Sequence, residues 1–245
     1  MTSKLLFLIK GELLRLNKYR VTLVSFLVAL VWGLVLYFID DINILEQMLP
    51  MIIMIDATMM SIIFIGSIMF FEKSEQTIST LLVTPTSTDE QILSKVIANT
   101  IHMLLSSLLI IIVFYFVKGV TVNFFWMIPL LIICIAFHSL LGYVFSYHTK
   151  DFTSMLLSVM MFIIILSIPS ILHQFNIFFI GEFWRYALLL TPAQASAELI
   201  ALGFGAEFTL SSVLSLIWLI TAGTIGYIFY IKPAYKAYVT RQGGI

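Results

Sequence analysis

Six apolar runs, each close to the length that crosses a bilayer as a helix, constrain the fold of this chain more than any other feature. They lie near residues 21–39, 50–71, 97–117, 124–145, 152–172 and 213–231. A spanning helix needs about 20 mostly apolar residues. Only 11% of the residues are charged, whereas soluble domains carry about 25%. The sequence therefore predicts an all-α membrane protein, with the six transmembrane helices in a single domain.

The distribution of lysine and arginine predicts the orientation of these helices. If both termini are cytoplasmic, the segments on that side carry eleven of these cations and the outer segments carry two, Lys118 and Arg185. Short cytoplasmic loops are enriched in lysine and arginine. We therefore expect a multi-pass protein of the cell membrane with both termini, and the loop between the second and third runs, in the cytoplasm.

The N-terminal segment, residues 4–20, predicts a helix of a different kind. It contains five cations and several leucines at helical spacing. Such a segment is expected to lie in the membrane interface, with its cations toward the headgroups of membrane lipids. No cleavable signal peptide is evident, because the cations are spread through the segment and the apolar run after it is long enough to stay in the membrane.

Residues 173–209 form a second irregular stretch. They are too polar for a clean span and too apolar for a solvated loop, and Gly181 and Pro192 interrupt them. Irregular backbone at membrane depth requires protein or a water-filled cavity beside it. We expect two short re-entrant helices that enter the outer leaflet and cap a pathway. The alternative is an interfacial loop anchored by Trp184 and Tyr186.

Several polar residues within the apolar runs require an explanation. Asp56 lies inside the second run. It can line a pathway for cationic substrates, reach the outer interface, or be protonated and bond to Thr58 or a neighbouring helix. The candidate pathway residues are Asp56, Met59, Phe178 and Trp184. His102 and His138 lack further ligands for a metal, so helix packing is the favoured interpretation. No catalytic or metal site and no nucleic-acid-binding face is predicted.

The charged island after the second run has a specific order of residues. It contains Glu72, Lys73, Glu75, Thr77, Leu81, Leu82 and Pro85. This pattern predicts a short amphipathic helix against the cytoplasmic face, although an ordinary loop fits the periodicity equally well. Ser87 and Glu90 have the spacing of a capping box, which predicts that a new helix begins near Thr88 and runs through Lys95.

The island, read as FEKSEQTISTLLVTPTSTDEQILSKVI, resembles the hallmark region of ABC-2-type ABC transporter permeases. The likeness extends to the basic N-terminal helix with Glu12 and Arg15, to the six spans and to the re-entrant segment. One departure is Gln76, where the family often has glycine. The resemblance implies a permease subunit of a bacterial exporter of the multidrug-export kind, whose cargo is a drug, a peptide or a lipid-like compound.

The resemblance also implies partners. In such permeases the island is a coupling helix that docks into an ATP-binding subunit, present in two copies, and the N-terminal helix packs beside it. This chain has no Gly-x-x-x-x-Gly-Lys run, so it is not expected to act as an enzyme, and ATP and Mg²⁺ belong to the partner ATPase. Six spans are half of a transporter of this type, which implies a second permease copy in a homodimer or a related heterodimer. The alternatives are an intramembrane enzyme and a non-transporting membrane regulator.

Overall fold

The structure is a computed structural model that describes residues 2–75, 77 and 84–242. Every regular element in these ranges is helical. The α-helices, in chain order, are α1 (Thr2–Lys18), α2 (Val21–Tyr37), α3 (Ile42–Met54), α4 (Met60–Ser74), α5 (Thr88–Lys118), α6 (Phe124–His148), α7 (Phe152–Gln174), α8 (Glu182–Leu188), α9 (Pro192–Gly203), α10 (Leu210–Gly226) and α11 (Lys232–Gln242). Two π-helical turns, Ile55–Met59 and Tyr227–Ile231, join α3 to α4 and α10 to α11.

Five rods in the described ranges are long and apolar enough to cross a membrane. They are Ile44–Ser74, Thr88–Lys118, Phe124–His148, Phe152–Gln174 and Leu210–Thr240. The pair α1 and α2 gives a sixth candidate, bent by 63° at its break. The bend passes through Arg20, whose φ of 57° is left-handed. The prediction of an all-α membrane fold is confirmed, with five spans or up to six if the bent pair is one span.

The rod Ile44–Ser74 is longer than the second apolar run, which predicted it. It begins at Ile44 rather than near Pro50, and Pro50 lies inside α3. Proline removes only its own backbone N–H from the helical ladder, and membrane helices tolerate this loss. Similarly, α5 extends the predicted third span toward the island, because its capping box starts the helix at Thr88.

The core of the bundle is the close contact between α4 and α6. Gly142 allows this approach, because a Cβ atom there would lie 2.7 Å from Cβ of Ile65 and 2.8 Å from the carbonyl oxygen of Ile62. Asn99 of α5 ties the two helices together. Its amide nitrogen donates to the Ser61 carbonyl at 3.3 Å and to Oγ of Ser139 at 2.9 Å. Small residues and interhelical hydrogen bonds of this kind hold membrane helices together.

The irregular stretch 173–209 contains two short helices, α8 and α9. Most of α9 is buried, and it packs against α3, α6, α7 and α10. By contrast, only Leu188 of α8 is buried. The sequence predicted two short helices here, and the structure contains them. Their entry into the outer leaflet stays a prediction.

Candidate functional site

The site begins at the carboxyl end of α4, where Glu72 is the second residue of the island. Glu72 is on the buried side of the helix, with 2% of its side chain exposed. The backbone N–H and the hydroxyl of Thr77 both donate to the Glu72 carbonyl, at 3.1 Å and 3.2 Å. The chain therefore turns directly after α4, and the Glu72 carboxylate points into the protein.

Four charged side chains, Glu12, Arg15, Glu72 and Lys95, meet around that carboxylate; we call them the ion cluster. Lys95 Nζ lies 2.9 Å from Glu72 Oε1 and 3.0 Å from Glu12 Oε1. Arg15 Nη1 lies 2.5 Å from the same Glu72 oxygen and 3.4 Å from Glu12 Oε2. The two acids and two bases balance in charge, as the burial of charged groups requires.

The ion cluster joins three helices that are far apart in the sequence. Glu12 and Arg15 come from α1, Glu72 from α4 and Lys95 from α5. Lys95 is the most enclosed of the cations, with 2% of its side chain exposed. Breaking such a buried pair is costly, since the remaining charge has no solvent to compensate it. The three helices are therefore held in one arrangement at this end of the bundle.

Aromatic residues surround the ion cluster. Tyr235 of α11 and Tyr143 of α6 are buried, and their ring centroids lie 5.9 Å apart. The Tyr143 hydroxyl donates to the Ile92 carbonyl at 3.3 Å. At the outer edge, the Tyr19 hydroxyl donates to the Glu75 carboxylate, and the Tyr19 ring lies 4.6 Å from that of Phe71. These contacts connect the break between α1 and α2 with the start of the island.

The far side of the island is fixed as well. Ser87 and Glu90 form the predicted capping box, with the Ser87 N–H donating to Glu90 Oε2 at 2.8 Å. Lys4 Nζ of α1 donates to the Pro85 carbonyl at 3.1 Å. In the first turn of α5, Asp89 accepts from Lys232 Nζ at 2.8 Å. Both ends of the island are therefore anchored to α1 or α11.

Part of the predicted docking segment falls outside the described residues. Leu81 and Leu82 belong to that part, as does Gln76. Of the described docking residues, Glu72 lies within the ion cluster, while Glu75 and Pro85 are exposed. Lys73 is half-buried, and its Nζ donates to the Lys150 carbonyl at 3.4 Å. A docking role for these residues stays a prediction.

The four candidate pathway residues do not form one group. Asp56 and Met59 share the π-helical turn and are buried in the core. The Ser107 hydroxyl of α5 donates to Asp56 Oδ2 at 3.4 Å, so one alternative, a bond to a neighbouring helix, is what the structure contains. Phe178 and Trp184 are exposed near α8. A pathway through Asp56 stays a prediction.

The two intramembrane histidines have separate partners. His102 Nε2 lies 3.0 Å from Oγ of Ser25, and His138 Nδ1 lies 2.8 Å from the Cys134 carbonyl. In the part of the chain that the structure describes, no three potential ligands are grouped to hold a metal ion. His102 therefore bonds to a neighbouring helix and His138 to its own helix, and a role of both in helix packing stays a prediction.

These features define the class of the protein: a multi-pass helical membrane protein in which α1, α4 and α5 meet at a buried ion cluster, with the charged island between α4 and α5. The chain belongs to the ABC-2 type transporter family, whose model matches residues 4–172. It is therefore the membrane permease of an ABC transporter, a transport subunit rather than an enzyme, and the family implies an ABC ATPase as its partner. No curated protein and no solved structure matches the chain.

The match includes the ion cluster and the island but ends before α8 and α9. The resemblance named Glu12, Arg15, Glu72 and Lys95 separately, in two different segments. The sequence did not predict that they meet, because 83 residues separate Glu12 from Lys95. Two signals were available: the resemblance placed the N-terminal helix beside the island, and a charge next to an apolar run is costly unless it is paired.

Proposed function

We propose that this chain is the permease of an ATP-driven exporter that moves an amphipathic or hydrophobic compound, such as a drug, peptide or lipid-like molecule, outward across the cell membrane. Two ATP-binding subunits would supply the energy, with ATP and Mg²⁺ bound there. A second permease copy, identical or related, would complete the pathway. The family supports the transporter class, and the lysine distribution supports the cytoplasmic position of the island.

The ion cluster is the observation that carries the proposal. The island includes the short connection between α4 and α5, and both of these helices contribute charges to the cluster. A force applied to the island by a docked ATPase would reach α1, α4 and α5 together, because their charged groups are buried and mutually neutralised. Coupling requires an element with two arrangements, and we infer that these helices move as one unit between them.

Docking is tested by changing Glu75, which is exposed, and Leu82, which the resemblance assigns to the docking segment. Glu75→Arg and Leu82→Asp should reduce co-purification with a co-expressed ATP-binding subunit while leaving membrane insertion intact. Glu207→Arg is the matched control, because Glu207 is also exposed but lies before α10, in the connection from α9. If both island variants retained the subunit and transported at the parental rate, the docking role would be refuted.

Transmission through the ion cluster is tested separately. Glu12→Gln should leave the ATPase bound, because Glu12 is buried in α1, yet should weaken the stimulation of ATP hydrolysis by transported compounds. The measurement compares ATPase stimulation with co-purification in the same preparation. Unchanged stimulation in a correctly assembled Glu12→Gln complex would show that the cluster is only structural.

A further inference from the structure

A cavity of about 380 Å³ lies at the same end of the molecule as the ion cluster. Its walls come from the ends of α4 and α6, the link between α6 and α7, and the rod formed by α10 and α11. Lys73 lines it and follows Glu72 directly in the sequence, but the Lys73 side chain is directed to the Lys150 carbonyl rather than into the ion cluster. The cavity is therefore a separate feature beside the cluster.

The charge in this cavity is positive. Lys73 and Lys150 both line it, and neither has a carboxylate within ion-pair distance among the residues that the structure describes. Asp151 is close enough to interact with the Lys73 charge, but its oxygens accept from the backbone N–H and the hydroxyl of Ser154, each at 2.8 Å. These bonds hold the pKa of Asp151 below its usual value, and they engage its carboxylate as the cap of α7.

Hydrogen-bond donors predominate among the remaining polar groups. The Tyr147 hydroxyl is buried and has no hydrogen-bond partner within the described part of the chain. His148 is already engaged, because its Nε2 lies 3.0 Å from the Tyr230 hydroxyl and the two rings stack. The ammonium groups of Lys73 and Lys150 are therefore the charged donors available to a ligand. A ligand that satisfies them must be an anion with several acceptor oxygens, and a phosphate group has this chemistry.

Small residues of α11 create the space. Ala234 and Ala237 line the cavity, three positions apart and thus on one face of the helix. Exposed aromatic side chains stand on neighbouring segments: Phe152 begins α7, and Phe229 lies in the π-helical turn beside Tyr230. The Phe70 ring of the cavity wall packs edge-on against the Phe152 ring, with the two ring centroids 6.3 Å apart. A polar cavity flanked by exposed apolar side chains suits an amphiphile whose headgroup enters and whose acyl chains stay outside.

We propose that this cavity binds the phosphate of a net-anionic phospholipid headgroup. Lys73 and Lys150 contact the phosphate oxygens, and the acyl chains pack against the apolar surface near Phe152. Basic pockets between membrane helices favour anionic headgroups, because ammonium groups at the bilayer surface attract them. The site goes beyond the transport function and does not depend on it, since a lipid would bind there whether or not an ATPase is docked.

The first experiment compares headgroups on the purified full chain. Thermal stability is measured in detergent micelles with added phosphatidylglycerol, phosphatidylcholine or inorganic phosphate at equal concentration. Phosphatidylglycerol should raise the melting temperature in a saturable manner, and phosphatidylcholine, which is zwitterionic, should not. Equal stabilisation by the two lipids would overturn the proposal. Equal stabilisation by inorganic phosphate would show a free-anion site and overturn the assignment to a lipid.

The second experiment assigns the binding to this cavity. Lys73→Gln combined with Lys150→Gln should weaken phosphatidylglycerol binding by about tenfold or more, because each charge-assisted hydrogen bond contributes substantially. Lys236→Gln is the matched control, because Lys236 is exposed on α11 but does not line this cavity. Equal loss in the control would mean non-specific attraction to basic residues and would overturn the proposal.

A third variant tests whether binding needs the volume of the cavity as well as its charges. Ala237→Leu keeps every charge but fills the cavity, so it should abolish the saturable effect of phosphatidylglycerol while leaving the stability of the lipid-free protein nearly unchanged. Retained binding in Ala237→Leu would exclude the cavity as the site. Co-purification with the ATPase, measured on the same variant, should stay at the parental level; its loss would concern the docking proposal and not this one.

Discussion

The ammonium group of Lys95 contacts carboxylates from two other helices, Glu12 and Glu72. Replacing it with the apolar side chain of methionine leaves only Arg15 to neutralise both acids. Removing one partner of a buried ion pair costs about 3–5 kcal/mol. We therefore expect Lys95→Met to lower the free energy of unfolding by about this amount, measured by denaturant titration in mild detergent.

A second substitution provides the control for this residue. Glu12→Gln in the Lys95→Met background removes one of the two acids and restores a balanced pair of Arg15 and Glu72. Because the two sites are in contact, their effects should not be additive. The double variant should be more stable than the sum of the two single losses indicates. Strict additivity would contradict the shared neutralisation that the ion cluster requires.

The buried face of α1 shows why the site was only partly predictable. Leucine spacing predicts an amphipathic helix, but the buried residues of α1 include Glu12 together with Leu16. Helical periodicity treats a glutamate as part of the polar face. Lys95 on another helix and Arg15 on α1 make the burial of Glu12 favourable, and the partner on the distant helix is not readable from local sequence.

At the scale of the helices, the contact of α4 with α6 depends on glycine. Gly142→Ala would place a Cβ atom 2.8 Å from the Ile62 carbonyl oxygen, and backbone cannot yield as a side chain can. Overpacking of this kind costs about 1–3 kcal/mol. We expect Gly142→Ala to lower the melting temperature of the purified protein by several degrees, about 2–4 °C for each kcal/mol in a chain of this size.

Gly66 of α4 provides a comparison with Gly142 of α6. A Cβ atom there meets the sulfur and the terminal methyl group of Met155. Because methionine is unbranched and flexible, it can rearrange around an added methyl group. Gly66→Ala should therefore lower the melting temperature less than Gly142→Ala does. The reverse order would show that Met155 is held more rigidly than the Ile62 backbone.

The capping of α5 is a helix-scale feature that the sequence predicted fully. Ser87 and Glu90 are three residues apart, so the whole motif lies within one local stretch. Ser87→Ala removes the side-chain acceptor for the Glu90 N–H, at a cost of about 1 kcal/mol. Ser87→Asp preserves an acceptor and should retain stability in the same thermal measurement. Equal stability of Ser87→Ala would indicate that Lys4 and Lys232 alone fix the start of α5.

For the whole molecule, the general architecture followed from hydropathy, while the ends of several rods did not. A run of apolar residues predicts a span, because the hydrocarbon core of the bilayer favours apolar side chains on a backbone whose hydrogen bonds are internal. The extension of α5 toward Thr88 passes through polar residues that hydropathy excludes, including Asp89, which bonds to Lys232. The local capping box predicted this start of α5, whereas no local signal predicted that the rod Ile44–Ser74 begins before Pro50. The family match ends at residue 172. The description of α8 and α9 therefore comes from the structure and from their own sequence, not from the family.

The orientation of the molecule is open to a direct chemical test. Cys134 is the only cysteine in the chain and is buried, so the parental protein should react little with a maleimide. Glu207→Cys and Thr240→Cys then place one reactive thiol just before and one near the end of the rod Leu210–Thr240. At a rise of about 1.5 Å per residue, this rod separates the two positions by more than the thickness of the hydrocarbon core.

With both termini in the cytoplasm, a membrane-impermeant maleimide should label Glu207→Cys in intact cells. Thr240→Cys should react only after the cells are permeabilised. The expectation rests on the excess of lysine and arginine at the end that contains the ion cluster, because positive loops are retained inside. The opposite pattern would invert the orientation. It would also exclude ATPase docking at the island, because a cytoplasmic ATPase has no access to a segment on the outer face.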